Sequence, residues 1–147
     1  KRQDFMSSKG GLKIRFDGQF SNDPLPTSLK KSLGGLYSIR GYEEREAYGD
    51  SGVSLNFEYI TSTEQTSFLS LEGNLQKIFF FDSGYVSNVG SMSASNDSVD
   101  MQSIGAGLLG NFEGGTDFSL QVGLPLADSF NPQAIDPRTH FSLTIRF

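Results

Sequence analysis

An all-β fold of antiparallel strands is predicted by three features of this sequence: a recurrent two-residue hydrophobic period, a composition rich in Gly and Phe, and connections that alternate between long and tight. Of 147 residues, 17 are Gly and 13 Phe, with no Trp, which suits a turn-rich β-protein. Alternation of apolar and polar residues puts one greasy and one polar face on each strand, because successive side chains of a strand point to opposite sides.

The strands are read in order as follows. Over 12–20, Leu12, Ile14, Phe16 and Phe20 alternate with Lys13, Arg15, Asp17 and Gln19. Over 52–59, Val53, Leu55, Phe57 and Tyr59 alternate with Ser54, Asn56 and Glu58. Two strands are less clean. Within 74–85 the run Ile78-Phe79-Phe80-Phe81 is apolar on both faces, and within 101–112 Ile104, Ala106, Leu108, Gly110 and Phe112 stand opposite Ser103, Gly105 and Gly107. A fifth strand sets Phe118, Leu120, Val122, Leu124 and Leu126 against Ser119, Gln121 and Gly123. The last sets Phe141, Leu143, Ile145 and Phe147 against His140, Ser142, Thr144 and Arg146.

Connections are long after Phe20, short to medium after Tyr59, long after Tyr85, tight at Glu113-Gly114-Gly115, and long again over 127–138. Long loops at one end and short turns at the other are the pattern of an outer-membrane barrel. A soluble sandwich also alternates, with its polar face in water, so the strand pattern alone leaves both architectures open. Aromatic residues at strand ends (Phe20, Tyr59, Tyr85, Phe112, Phe118, Phe141, Phe147) suit an interfacial girdle or a core equally. The final strand, Phe141-x-Leu143-x-Ile145-x-Phe147, resembles the C-terminal signal by which barrels are recognised for assembly, or is simply a last core strand.

Several function classes drop out. Without Cys there is neither a disulfide framework nor a thiolate metal site, and the single His140 cannot form an imidazole cluster, so no metal is expected. A net charge of -5, with Lys30-Lys31 as the one hint of a basic patch within the chain, argues against nucleic acid. No run approaches the roughly eighteen apolar residues of a transmembrane helix. The mean hydropathy of -0.30 does not count against a barrel, whose strands are greasy only on alternate residues. Gly105-x-Gly107-x-x-Gly110 precedes no helix, which leaves nucleotide binding unsupported. A hydrolytic triad built on His140 lacks a nucleophile elbow. No enzyme and no cofactor are expected. The opening Lys1-Arg2-Gln3-Asp4 has neither an initiator Met nor an apolar leader, which reads as a piece of something longer.

The segment 21–52 is too long for an ordinary hairpin loop, and loops of that size are usually functional or disordered. Its composition argues for order: Gly34-Gly35-Leu36-Tyr37-Ser38-Ile39-Arg40-Gly41-Tyr42 and Gly49-Asp50-Ser51-Gly52 supply glycine bends around one Arg and two aromatic rings. Asp50 reads as a turn residue or an acceptor, and Glu43-Glu44-Arg45-Glu46 as a solvated charge run.

Gln19-Phe20-Ser21, Pro24-Leu25-Pro26, Leu33-Gly34-Gly35, Ser38-Ile39-Arg40-Gly41-Tyr42 and Gly49-Asp50-Ser51-Gly52, followed by Phe80-Phe81-Asp82-Ser83-Gly84, together resemble the haemolysin-activator and filamentous-haemagglutinin transporters of two-partner secretion. Ile39-Arg40-Gly41-Tyr42 is similar to the Val-Arg-Gly-Phe/Tyr motif of the wider superfamily that includes barrel-assembly insertases, with Ile39 where Val is usual. The resemblance covers essentially the whole chain. It implies the C-terminal six strands of a sixteen-stranded transmembrane barrel with a long lumenal loop, the earlier strands, plug helix and periplasmic domains lying upstream. Six strands cannot close alone, since closure links strand number, tilt and diameter.

The resemblance further implies a bacterial outer-membrane pore, without cofactor, that exports a large adhesin- or haemolysin-type exoprotein. Its partners would be that exoprotein, outer-membrane lipid, and the barrel-assembly machinery during biogenesis. A barrel-assembly insertase and a passive porin are the alternatives. In such transporters the loop folds into the pore and its Arg meets an acidic residue on the wall. Asp82 fits that partner: Phe80, Asp82 and Gly84 share one face, Phe79, Phe81 and Ser83 the other. Arg40 can grip a carboxylate through two parallel hydrogen bonds, and Gly84 leaves room for a close-approaching loop. Asp82 reads otherwise as a turn initiator in Asp82-Ser83-Gly84.

Overall fold

The computed structural model describes residues 2–7, 10–68, 71–90, 98–126 and 136–146. Its strands are β1 (Arg2–Ser7), β2 (Gly10–Gln19), β3 (Lys31–Leu33), β4 (Ala47–Gly49), β5 (Ser51–Thr61), β6 (Glu64–Phe68), β7 (Leu71–Ser87), β8 (Ser98–Phe112), β9 (Thr116–Pro125) and β10 (Arg138–Ile145). Among the described residues the one helical element is a 3-10 turn, Thr27–Leu29. Among the described residues no helix is long and apolar enough to cross a membrane, which says nothing about crossing by strands. The chain is all-β.

One antiparallel sheet runs β1-β2-β5-β7-β8-β9-β10, with β6 also paired to β7. Each of the six strands expected from periodicity is present. Three features lay outside that expectation. β1 extends the sheet beyond β2. β6 continues the line of β5 after a bulge: Ile60 faces Ile78 and Glu64 faces Leu75, so three residues oppose two. Thr61 covers the break, its hydroxyl accepting from the Lys77 amide (2.9 Å) and its carbonyl from Gln76 Nε2 (3.2 Å). Finally, the long loop carries its own two-stranded ribbon, β3–β4. The loop ends at Asp50, because Ser51 and Gly52 already belong to β5.

The decisive observation is which face is covered. Val53, Phe57, Tyr59, Phe79, Phe81, Tyr85, Ile104, Leu120, Val122, Phe141 and Leu143 lie on the exposed side, whereas Ser54, Asn56, Glu58, Asp82, Ser103 and Gln121 are buried. A water-soluble sandwich would show the reverse. The covering layer is the loop after β2: Leu33, Ile39, Tyr42 and Ala47 pack with Val86, Val99 and Met101 in a small apolar cluster. Apolar residues on both faces of β7 are thereby explained, since Ile78 and Phe80 are buried while Phe79 and Phe81 point outward.

Near the tight turns, Phe112 takes the second of the two places open to it, a packed one rather than a rim. It is buried and stacks on Phe118 with ring centroids 5.9 Å apart. These rings cover Gly73 and Gly110, their cross-strand partners, so each glycine gives a ring its seat.

Candidate functional site

The register lays three rungs of inward-facing residues beneath the loop tip. Lys13, Glu58, Phe80, Gly105, Gly123 and Arg138 lie across from one another on β2, β5, β7, β8, β9 and β10. One rung toward the loop end come Arg15, Asn56, Asp82, Ser103 and Pro125, and one rung the other way Ile78, Gly107, Gln121 and His140. The polar face predicted by the two-residue period is thus a prepared surface.

The loop presents Arg40 to it. A hydrogen-bonded bend closes the approach, Gly35 donating to the Ile39 carbonyl (3.1 Å) and Ser38 to that of Gly35 (3.2 Å). Gly41 then turns the chain with φ +95°, a conformation that L side chains rarely adopt. Arg40 is 2% exposed and Asp82 fully buried. The guanidinium grips Asp82 with both arms, Nε to Oδ2 and Nη2 to Oδ1, each 2.7 Å, and the Arg40 amide adds a third bond of 3.1 Å to Oδ2. Nη1 donates to Gln121 Oε1 (2.8 Å) and pairs with Glu58 Oε1 (3.0 Å). Four of the five guanidinium N–H groups are thereby engaged. The Phe80 ring lies face-on below, 3.6 Å from Cζ, adding a cation–π contact.

Around this contact the wall residues are themselves held. Asn56 Nδ2 donates to Asp82 Oδ1 (2.9 Å) and to the Ser38 carbonyl (2.6 Å), while Glu58 also pairs with Lys13 (2.6 Å). Such bonds fix where the carboxylates point and give each a partner, which matters because a buried unpaired charge is costly. Two glycines set the depth of docking. A side chain at Gly123 would stand 2.5 Å from the Gly41 nitrogen, and one at Gly84 would stand 2.9 Å from Leu33 and 3.0 Å from Ile39.

Tyr42 and Gly41 extend the contact toward the later strands. Where β9 stops at Pro125, the Gln102 carbonyl accepts from the Leu126 amide (2.7 Å) and from the Tyr42 hydroxyl (2.9 Å), which in turn accepts from the Gln102 amide (3.2 Å). Gly41 N–H donates to His140 Nε2 on β10 (3.2 Å).

Asp50 organises the base of the loop. Its carboxylate accepts from the Leu25 and Val89 amides (2.8 Å each) and pairs with Lys30 (3.2 Å). The amide bonds, Val89 first, hold this carboxyl below the usual carboxylate range. Gly34 and Gly35 take positive φ at the head of the ribbon. Gly49 packs against Val86 and Ser87, and Gly52 against Tyr85 and Val86.

The structure therefore brings Ile39, Arg40, Gly41, Tyr42, Phe80, Asp82 and Gly84 together. Phe141, Leu143 and Ile145 lie apart from them, on the exposed face of β10, and Phe147 falls outside the described residues. Glu58, Gln121, Asn56, Gly123 and His140 were not singled out from the sequence as parts of this site. The one signal for them is their place on the polar phase of each strand, and period two does not say which polar residue a distant loop will meet.

Comparison with known proteins places the chain in a family. The haemolysin secretion/activation protein family ShlB/FhaC/HecB matches residues 3–110. The Heme/hemopexin transporter protein HuxB of Haemophilus influenzae strain 86-028NP is 32% identical over 124 residues, covering 80% of this chain and 21% of that protein. The HuxB protein of strain Rd is 31% identical over the same length and shares. The chain thus spans about a fifth of the curated relatives it matches. No solved structure matches it.

Proposed function

The chain belongs to the haemolysin secretion/activation family ShlB/FhaC/HecB, and from that premise we propose that it forms an arc of the wall, with the plugging loop, of an outer-membrane pore for two-partner secretion. The observation that carries the proposal is the inverted sheet: an apolar outer face exposed, and a polar inner face covered by an ordered loop pinned through Arg40. The outer face has the chemistry of a lipid contact. The inner face has that of a wet channel, along which an extended polypeptide could pass without adhering.

In this reading the cargo is a large exoprotein of adhesin or haemolysin type, moved without nucleotide or cofactor. Arg40, Asp82 and Glu58 form the latch that holds the loop in one position in the lumen. Barrel-assembly machinery inserts the protein, with Phe141, Leu143, Ile145 and Phe147 as the recognised motif, the first three of them outward on β10. The family match favours transport over the insertase alternative, and a loop that covers the inner wall disfavours a passive porin.

The test is secretion by the whole protein that carries this chain. Deleting it should leave the cognate exoprotein in the periplasm, and restoring it should return the exoprotein to the medium. Export that persists in the deletion strain would overturn the proposal.

A further inference from the structure

Outside the Arg40 latch, the loop tip also touches a titratable side chain of β10. His140, the only histidine of the chain, projects from the inner face of β10 and accepts the Gly41 N–H through Nε2. An imidazole nitrogen that accepts a hydrogen bond is unprotonated, so the bond requires the neutral ring with its proton on Nδ1. Protonation turns Nε2 into a donor facing a donor. The amide it would abandon is packed against Gly123.

The geometry points to His140 as a positioning residue that holds the loop tip only in its neutral form, so that mild acid loosens the loop. The inference rests on the reading of the loop as the element that occupies the pore. Charged groups face His140 from each side: Arg40 and Glu44 from the loop, Asp82 from β7 and Arg138 from its own strand, with uncharged Gln121 opposite on β9. Two cations and two carboxylates leave the surroundings nearly balanced. Loss of the acceptor, rather than net repulsion, is therefore what protonation changes. Arg138 also pairs with Glu43 (3.0 Å), but both are exposed, and such pairs hold little. Asp50, at the other end of the loop, has its carboxyl held below the usual carboxylate range and stays ionised in mild acid, which therefore acts on the tip and not on the base.

The test reads loop position directly in the whole barrel. Ser38 has a buried hydroxyl with no hydrogen bond among the described residues, so Ser38→Cys places a near-isosteric thiol beneath the docked loop. Labelling by a membrane-impermeant thiol reagent is measured from pH 8 to 5 and normalised to the unfolded protein at each pH, with heat-modifiable gel migration confirming a folded barrel. The normalised rate should rise roughly tenfold per pH unit once below the imidazole titration, the limit for a loop released by one proton.

His140→Gln keeps an acceptor that does not titrate, so its rate should stay low and flat. His140→Leu should be fast at every pH. A flat profile in the protein with His140 intact, or a profile that survives in His140→Gln, overturns the inference; the first needs no substitution at His140. Secretion separates this from the parent proposal: acid-dependent labelling without any change in export would leave His140 in its role and remove the loop as the gate.

Discussion

Arg40→Ala is expected to release the loop while leaving the barrel closed. Arg40 is 2% exposed, and its removal takes away two bonds to Asp82, one to Gln121 and one ion pair to Glu58. Asp82, fully buried, would keep only Asn56 and the Arg40 amide. Breaking a buried pair by removing one partner costs about 3–5 kcal/mol, because the other charge is stranded. The docked-to-free ratio of the loop should therefore fall by roughly two to four orders of magnitude, less if lumen water reaches Asp82. The Ser38→Cys labelling rate reports that ratio, and heat-modifiable migration reports the barrel, whose interstrand bonds do not involve the loop. Asp82→Ala should match Arg40→Ala, and the double variant should be little worse, since contacting residues are non-additive. Secretion should drop with loop release. Arg40→Lys should rescue only partly, as an ammonium cannot span both carboxylate oxygens and Gln121 together. Unchanged labelling in Arg40→Ala, or fully additive effects, would refute the latch.

Glu58→Gln should weaken docking less than Asp82→Asn, because Glu58 meets Arg40 through one 3.0 Å contact and is also held by Lys13, and the reverse order of labelling rates would move the latch to β5. Gly123→Ala should free the loop at a cost of about 1–3 kcal/mol by overpacking against the Gly41 backbone, with labelling raised and barrel migration unchanged. Phe81→Arg, on the exposed apolar face between Phe57 and Ile104, should lower the yield of folded barrel by about 2–4 kcal/mol of stability if the residue lies near the bilayer midplane; an undiminished yield would argue against lipid contact. Asp50 has a depressed pKa, so its contribution is fully present above the ordinary carboxylate value of about 3.9 and lost as pH falls below it. Loop-base protection from protease should hold to about pH 4 and fail beneath, and Asp50→Asn should remove that acid step.

The strands and the latch were unequally legible in the sequence. Period two finds β2, β5, β9 and β10 because each keeps its alternation for most of its length. It passes over β1, a short strand, and β6, whose phase is broken by the extra residue near Thr61. Arg40 stood out because glycines surround it, and Asp82 because Phe80, Asp82 and Gly84 share a phase. Glu58 and Gln121 have the same phase logic on β5 and β9, but so do Ser54 and Ser119. Choosing among them needs the interstrand register and the path of the loop, and both are set by tertiary contacts. Gly123 is the sharper case. In sequence it is a small residue in a strand; in the fold it is the floor on which Gly41 rests.

An inward polar face creates a difficulty that the loop resolves. Buried carboxylates and amides on a wall facing a wet lumen would be hydrated and loosely oriented. Covered by ribbon and tip, they exchange water for fixed donors: Asp82 receives Arg40 and Asn56, and Glu58 receives Arg40 and Lys13. The apolar cluster of Leu33, Ile39, Tyr42, Val86, Val99 and Met101 seals the side toward the long loops. The loop thus acts as the core that a sheet with its greasy side outward lacks. Such a contact is ordered when docked, yet the sheet does not depend on it, because the strands pair through their own backbones. Separable loop and wall are what a gate requires, and a core built from charges can be opened by water where an apolar one could not.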